Sequence, residues 1–290
     1  MNSRPVRKAV FPVAGLGTRL LPATKSVPKE MLTIVDRPLI QYAVDEAREA
    51  GTEQMIFVTG RGKATLDDYF DIGFELETTM RERGKSLDAL EPSRSGFGEI
   101  ISVRQQQPLG LGHAVWCARH IVGDEPFAVL LPDDLMVGEP GALKQMMAAY
   151  AEFGGNIVCA QEVAAERTAS YGIITPGETR GAVTEVKGMV EKPRPEVAPS
   201  RLGIVGRYIL QPEVMDILGK GDRGAGGEIQ LTDGMAKLIG TQPFHAVTVD
   251  AARHDCGDKA GFVMANIALA MRDNDLKAKI GDYLDEIRRG

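Results

Sequence analysis

The chain is poor in the residues that staple, anchor or attract nucleic acid. It has three cysteines and one tryptophan in 290 residues, and aromatic residues make up only 6%. Cys117, Cys159 and Cys256 are odd in number, far apart and without ligand spacing. That excludes a disulfide framework or a zinc site and reads as reduced thiols in a cytoplasmic protein. The formal net charge is -6, so there is no basic field for nucleic acid, and anionic substrates have to be held by local cations. No apolar run approaches the roughly eighteen residues of a membrane-crossing helix. The basic start, Arg4, Arg7 and Lys8, leads only into a short apolar segment broken by Pro12, too brief for a secretory leader. The histidines, His113, His120, His245 and His254, make no ligand pair, and no serine or cysteine stands in a nucleophile elbow, so covalent catalysis has no support.

What is present is an ordinary globular composition, 43% hydrophobic and 26% charged, long enough for one large core or a core with a small appendage. The chain is organised around residues 10–37. An apolar run over 9–14 enters a loop carrying Gly15 and Gly17, then Thr18 and Arg19, with further cations at Lys25 and Lys29. Glycines allow positive φ and close approach of backbone N–H groups to an anion. Arg19 and Lys29 add a planar fork and a point charge for phosphate oxygens. Alone, G-x-G equally describes a strand-to-helix turn. Leu20 stands where G-x-G-x-x-G needs its third glycine, and no P-loop spacing fits around Gly15, which disfavours a dinucleotide crossover or a P-loop NTPase.

The first half alternates strand-like and helical patterns, which predicts parallel strands joined by right-handed crossovers. Residues 39–50 read as a helix, 55–59 as a strand, 63–70 as a short helix, 100–104 as a strand, 141–153 as a helix and 156–163 as a strand. Residues 71–97 are a charged surface insertion with a helix over FELETTMRERGK. Phe127 to Leu131, apolar throughout, reads as a central strand covered on both faces. Asp133 and Asp134 follow at its carboxyl end, where open α/β sheets bind ligands, and two carboxylates there suit magnesium as well as they suit a solvated turn. From Tyr171 the runs become short and turn-punctuated (171–174, 183–189, 203–210), an antiparallel layer. Pro193 is expected to hold Lys192 extended, which would aim Glu191 and Lys192 at opposite faces unless the strand ends there. Residues 221–227 are glycine-rich, 244–249 read as a last strand, Asp255 follows it, and Asp258 caps a helix over 259–271.

G-L-G-T-R-L-L-P-A-T, from Gly15 to Thr24, followed by P-K-E-M ending at Met31, resembles the nucleotidyltransferase signature of the sugar-nucleotide pyrophosphorylases, and most the bacterial UTP:glucose-1-phosphate uridylyltransferases. F-E-L-E in the insertion, G-L-G-H-A after Pro108, V-E-K-P and G-E-I-Q-L-T-D extend the likeness from about Arg7 to the final helices. The glutamine run before Pro108 and a short interval after Lys85 depart from it. The resemblance implies a Rossmann-like, mixed, mostly parallel α/β sheet flanked by helices with a smaller antiparallel sugar-binding layer. It implies one nucleotidyltransferase domain over 1–290: a nucleotide half at about 7–165, a sugar half at about 166–257 and closing helices at about 258–288.

By the same resemblance, Ala14, Gly15, Gly17, Thr18, Arg19 and Lys29 grip the triphosphate of UTP. Gln105 and Gly110 read the base, with Gln106 and Gln107 as spare candidates for a flat ligand edge. Asp133 and Asp255 hold Mg2+. Gly172, Glu191, Lys192 and Glu228 contact glucose 1-phosphate, Lys192 through its phosphate. The products are UDP-glucose and pyrophosphate, and the assembly is a homo-oligomer, a dimer or tetramer. Two other readings stay open: another pair such as dTTP with a hexose phosphate, or a catalytically silent nucleotide-sugar-binding regulator.

Overall fold

The computed structural model describes residues 3–289. The run ahead of the glycine loop is strand β1 (Lys8–Pro12). A minimal strand pair, β2 (Thr33–Ile34) and β3 (Arg37–Pro38), leads into helix α1 (Leu39–Glu49). Leu39, Ile40, Ala43, Val44 and Ala47 recur at helical spacing on α1 and are all buried. Then come β4 (Gln54–Thr59), α2 (Ala64–Phe70), α3 (Phe74–Glu82) and β5 (Ile100–Arg104). Helices α4 (Leu111–Cys117) and α5 (Arg119–Val122) cross to β6 (Phe127–Leu130), which is followed by β7 (Asp134–Val137). α6 (Ala142–Phe153) and β8 (Asn156–Glu162) precede the antiparallel β9 (Gly172–Arg180), β10 (Val183–Glu191) and β11 (Leu202–Leu210). The chain closes with α7 (Val214–Leu218), α8 (Leu231–Ala236), β12 (Phe244–Val247), β13 (Ala252–Asp255), α9 (Lys259–Ala270) and α10 (Asn274–Arg289).

Nine strands join in the order β5-β4-β1-β6-β11-β8-β12-β10-β9. β5, β4, β1 and β6 run parallel, as expected of crossover connections, and β11 runs antiparallel to both β6 and β8. The antiparallel β9–β10 hairpin joins this same sheet through β12 and also touches β11 at Gly203–Ile173. The expected mixed α/β sheet with a smaller antiparallel part is thus present, and the antiparallel part extends the sheet's far end.

Period-two alternation explains why the central strands are continuously apolar. Val10, Ile56 and Val129 point into a core capped by Ala114, Val115, Val214 and Leu231 of α4, α7 and α8. Their neighbours Ala9, Phe11, Met55, Phe57, Ala128 and Leu130 point into a second core under α1, α2 and α6, with Val44, Leu66, Leu143 and Met146. Both faces are covered.

Residues 244–249 do not hold the last strand. β12 stops at Val247, and β13, reading only ARHD, follows and pairs with β7. A four-residue strand whose one apolar residue is an alanine carries no alternation by which a sequence could announce it. Asp258 caps α9, accepting from the Gly261 N–H at 2.8 Å. α9 packs on β13 and β2, whereas α10 buries none of its side chains. No helix among the described residues is long and apolar enough to cross a membrane.

One buried ion pair locks the layers together. Arg207 of β11 is 1% exposed. Its guanidinium meets both carboxylate oxygens of Glu46 on α1 (2.7 to 3.0 Å) and donates to the carbonyls of Leu131 and Gly206. Glu46 also accepts from the Leu143 N–H in the first turn of α6, where a carboxylate is favoured by the helix dipole. Glu46→Gln should therefore cost about 3–5 kcal/mol, the penalty of stranding a buried cation. The paired Glu46→Leu/Arg207→Met variant should lose less than Glu46→Gln, as read from urea midpoints.

Candidate active site

The carboxyl ends of β1, β4, β5 and β6 lie side by side, and the loops leaving them build the site. After β1 the chain turns at Gly17, whose φ of +65° belongs to glycine. A Cβ there would sit 3.1 Å from Thr24, whose hydroxyl donates to the Gly17 carbonyl at 2.7 Å. Gly15 and Thr18 are exposed, and Ala14 packs on Gly60 at the end of β4. Short 3-10 turns carry Arg19 and Lys29 onward.

A cavity of about 310 Å³ opens beside this loop. Its lining includes Arg19, Asp133, Gly172, Glu191, Lys192, Glu228 and Asp255, residues drawn from well-separated parts of the chain. Ala14, Gly15, Gly17, Thr18, Lys29, Gln105 and Gly110 are not among its lining residues, although Lys29 and Gly110 touch the lining residues Asp133 and Glu228. Lys29 makes an ion pair with Asp133 at 2.5 Å. Gly110, at φ +107°, packs against Glu228 and Ile229, so that a Cβ would fall 2.7 Å from the Glu228 side chain. Gln105, at the end of β5, donates its amide to the Gly110 carbonyl at 3.0 Å. Gln106 and Gln107 line a different cavity, of about 240 Å³, together with His113, Trp116 and Cys117 of α4.

The expectation that Lys192 is extended is overturned. β10 ends at Glu191, and Lys192 takes φ +48°, its N–H donating to the Tyr171 carbonyl at 2.9 Å and its ammonium reaching Glu191 at 3.2 Å. The left-handed turn brings both side chains into one cavity, which an extended lysine would prevent. Such a conformation in a non-glycine residue ahead of proline costs about 1–3 kcal/mol and marks functional sites. Gly172 faces Glu191 in register. A Cβ on Gly172 would press to 2.8 Å from the Thr232 hydroxyl, so its bare backbone leaves the cavity wall flat.

The carboxylates converge on Gly257. A Cβ there would meet Asp255 Oδ1 at 3.0 Å, Asp133 Oδ2 at 3.1 Å and Arg19 Nη2 at 2.6 Å. The missing side chain leaves a gap rimmed by two carboxylates and a guanidinium. Two oxygens of this kind fit a divalent ion that draws its remaining ligands from phosphate and water, and no cluster of three or more acidic, histidine or cysteine ligands exists among the described residues. Burial pushes the Asp133 carboxyl up, but the Lys29 ammonium, by charge and hydrogen bond, overrides it and holds the group below the usual aspartate range. Burial lowers Lys29, and the charges of Asp133 and Glu30 more than offset that, leaving the ammonium above its ordinary value.

Several lining residues escaped the sequence reading. Arg253 on β13 grips Asp134 through Nε (2.7 Å) and Nη2, and donates to the Tyr171 hydroxyl at 3.1 Å. Asp134 also accepts from the Gly206 N–H at 3.0 Å. Arg167 stands 3.9 Å from Asp255. Arg253 precedes Asp255 by two, and alternate residues on a strand share a face; that spacing was the available signal, had β13 been recognised.

Residues 8–271 match the nucleotidyl transferase family model. The chain belongs to the nucleotidyl transferase family. Within that family it is 54% identical over 258 residues to a UTP–glucose-1-phosphate uridylyltransferase of Komagataeibacter xylinus, covering 88% of this chain and 91% of the relative. Over 284 residues it is 47% identical to the enzyme of that name from Bacillus subtilis strain 168, covering 97% of each. A UTP-bound UGPase from Acinetobacter baumannii superposes with a TM-score of 0.87 at 42% identity, covering 97% of this chain and 99% of that one. A UDP-glucose pyrophosphorylase complexed with UDP-glucose superposes at 0.83, also at 42% identity, covering 93% and 100%. Nucleotidyltransferases of this family generally need a divalent metal.

The Lys29–Asp133 pair makes a pH prediction. A carboxyl depressed in the fold contributes stability that is fully present above the ordinary value of about 4 and is lost as pH falls through the lower folded value. Lys29→Met leaves burial unopposed by that cation, so the acid limb of a melting temperature against pH profile should move to higher pH. A limb that stays in place would separate Lys29 from the ionisation of Asp133.

Proposed function

We propose that this nucleotidyltransferase transfers the uridylyl group of UTP to glucose 1-phosphate, giving UDP-glucose and pyrophosphate. The observation that carries this reading is the convergence of Arg19, Asp133, Asp255, Glu191 and Lys192 on one cavity, combined with membership among the uridylyltransferases.

The chemistry needs no base. A sugar phosphate has its second pKa at about 6 and is already largely dianionic at neutral pH. What the reaction requires is in-line placement and neutralisation of charge at the α-phosphate and the departing pyrophosphate. The loop of Ala14, Gly15, Gly17 and Thr18 cradles the triphosphate, Arg19 and Lys29 supply positive charge to it, and Gln105 with Gly110 meets the base. Gly172, Glu191 and Glu228 hold the hexose. Lys192, turned out of the strand, directs the phosphate of glucose 1-phosphate toward the α-phosphorus. Asp133 and Asp255 would hold the divalent ion, in this reading Mg2+, which when bound draws off phosphate charge. Arg253, through Asp134 and Tyr171, keeps this wall in place.

The reading extends to the whole chain. Residues 1–290 act as a single nucleotidyltransferase domain, the nucleotide handled by about 7–165, the sugar by about 166–257, with closing helices over 258–288. Its three free thiols, two of them buried, suit a reducing cytoplasm. Val263 and Met264 of α9 and Tyr283 and Ile287 of α10 are more than half exposed, which supports a homo-oligomer, dimer or tetramer, closed through these helices.

Pyrophosphate release measured over a panel of nucleotides and hexose phosphates, with and without Mg2+, tests the substrate pair. UTP with glucose 1-phosphate should be turned over fastest, and a preference for dTTP would overturn the assignment. Lys192→Ala should slow turnover by about two orders of magnitude or more while UTP affinity stays nearly intact, since it removes a contact to the other substrate. Asp133→Asn and Asp255→Asn should each abolish metal-dependent turnover; a fully active double variant would remove the metal assignment.

A further inference from the structure

Gln105 has little freedom in how it presents its amide. Its side-chain nitrogen lies 3.0 Å from the Gly110 carbonyl and 3.0 Å from Nδ1 of His113, in the first turn of α4. A carbonyl oxygen only accepts, so the group facing Gly110 is the NH2. Its second hydrogen is then aimed at Nδ1, which must carry the lone pair, placing the imidazole hydrogen on Nε2. With both donors committed, Gln105 has one function left for a ligand. Its amide oxygen has no hydrogen-bond partner among the described residues.

We propose that His113 is a positioning residue for base selection: by accepting from Gln105 it holds the amide with its oxygen free, which admits a pyrimidine bearing N3–H and rejects one whose N3 is a bare acceptor. Uracil and thymine carry that hydrogen and cytosine does not. The proposal rests on the reading that Gln105 meets the base, and it narrows that reading from a donor-and-acceptor contact to an acceptor alone. Rejection is built in, because presenting a donor to cytosine would require the amide to flip, setting its oxygen against the Gly110 carbonyl and forcing the His113 proton from Nε2 to Nδ1.

The surroundings of His113 keep it in the accepting form. Its ring stacks on Trp116 at 5.8 Å, and the Arg119 guanidinium lies 3.6 Å over the other aromatic system's centroid. Cys117 Sγ is 4.0 Å from both ring nitrogens. The cavity on this side is lined by Arg104, Gln106, Gln107, Trp116, Cys117 and Arg119, two cations and no carboxylate. Burial, then the charge of Arg119, lowers the imidazole below its ordinary value.

The test compares kcat/KM for UTP, CTP and dTTP in the wild type and in His113→Phe, His113→Asn, His113→Gln and Gln105→Leu. His113→Phe, which has no acceptor, should reduce the UTP-to-CTP ratio by about tenfold, the worth of one hydrogen bond, mainly through KM for UTP. The UTP-to-dTTP ratio should stay unchanged, because both bases present the same edge. His113→Asn, whose oxygen falls near the place of Nδ1, should restore the wild-type ratio. His113→Gln, whose polar end falls near Nε2, should not, and this polar pair decides the matter even if the phenylalanine variant fails to fold. In the wild type the UTP-to-CTP ratio should fall at acid pH as His113 takes a proton on Nδ1, and it should be flat in His113→Asn. Equal loss against all three nucleotides, or an unchanged UTP-to-CTP ratio, overturns the proposal. If Gln105→Leu also leaves that ratio untouched, the base-reading role of Gln105 falls; if Gln105→Leu changes it and the His113 variants do not, only the role of His113 falls.

Discussion

A fully buried arginine has to be answered by the elements around it, and Arg207 dictates where several of them go. Its fork takes Glu46 from α1 and the carbonyls of Leu131 and Gly206. Leu131 and Gly206 flank the point where β6 ends and the acidic pair Asp133–Asp134 begins. The pair therefore sets the position of the first carboxylates of the site as well as the packing of α1 and α6. Replacing it by apolar groups is compatible with stability, but it would remove the guanidinium's hydrogen bond to the Leu131 carbonyl and leave the turn held by its own Asp134-to-Leu131 bond and by Gly206.

The cavity next to that turn is a balance of opposite charges. Asp133 is answered by Lys29, Asp134 by Arg253, Asp255 partly by Arg167, and Glu191 by Lys192. Each of these four carboxylates thus has a cation within reach, and each cation is a side chain that phosphate oxygens also attract. Such an arrangement holds buried charges in place without committing every cation irrevocably to one partner. The left-handed Lys192 and the bare walls at Gly172 and Gly257 remove bulk from this cavity or turn a side chain into it.

Much of this was legible because it follows from local pattern. The run from Phe127 to Leu131 read as a central strand, and β6 lies between β1 and β11 with both faces covered. Motif order picked out Arg19, Asp133, Glu191, Lys192 and Asp255, which line one cavity. What could not be read depends on long-range geometry. β13 is four residues, three of them polar, that become a strand only by pairing with β7. Arg253 becomes visible only once that pairing is known. The turn at Lys192 contradicts the preference of a residue before proline, and it is held by a hydrogen bond to Tyr171, far from it in the chain. His113 looked like an isolated histidine because its partner is an amide eight positions earlier.

The β7–β13 ribbon has a consequence for how the molecule comes into being. Its strands are joined by Arg253 to Asp134, 119 positions apart. During synthesis the parallel strands β5, β4, β1 and β6 can associate while the later segments are still on the ribosome, since all of them precede residue 131. The second carboxylate at Gly257 belongs to the last strand made. A nascent chain would thus complete the glycine loop after β1 early and bring Asp133 and Asp255 together at Gly257 only later, so a product truncated ahead of β13 would lack the pairing that shapes this corner of the cavity.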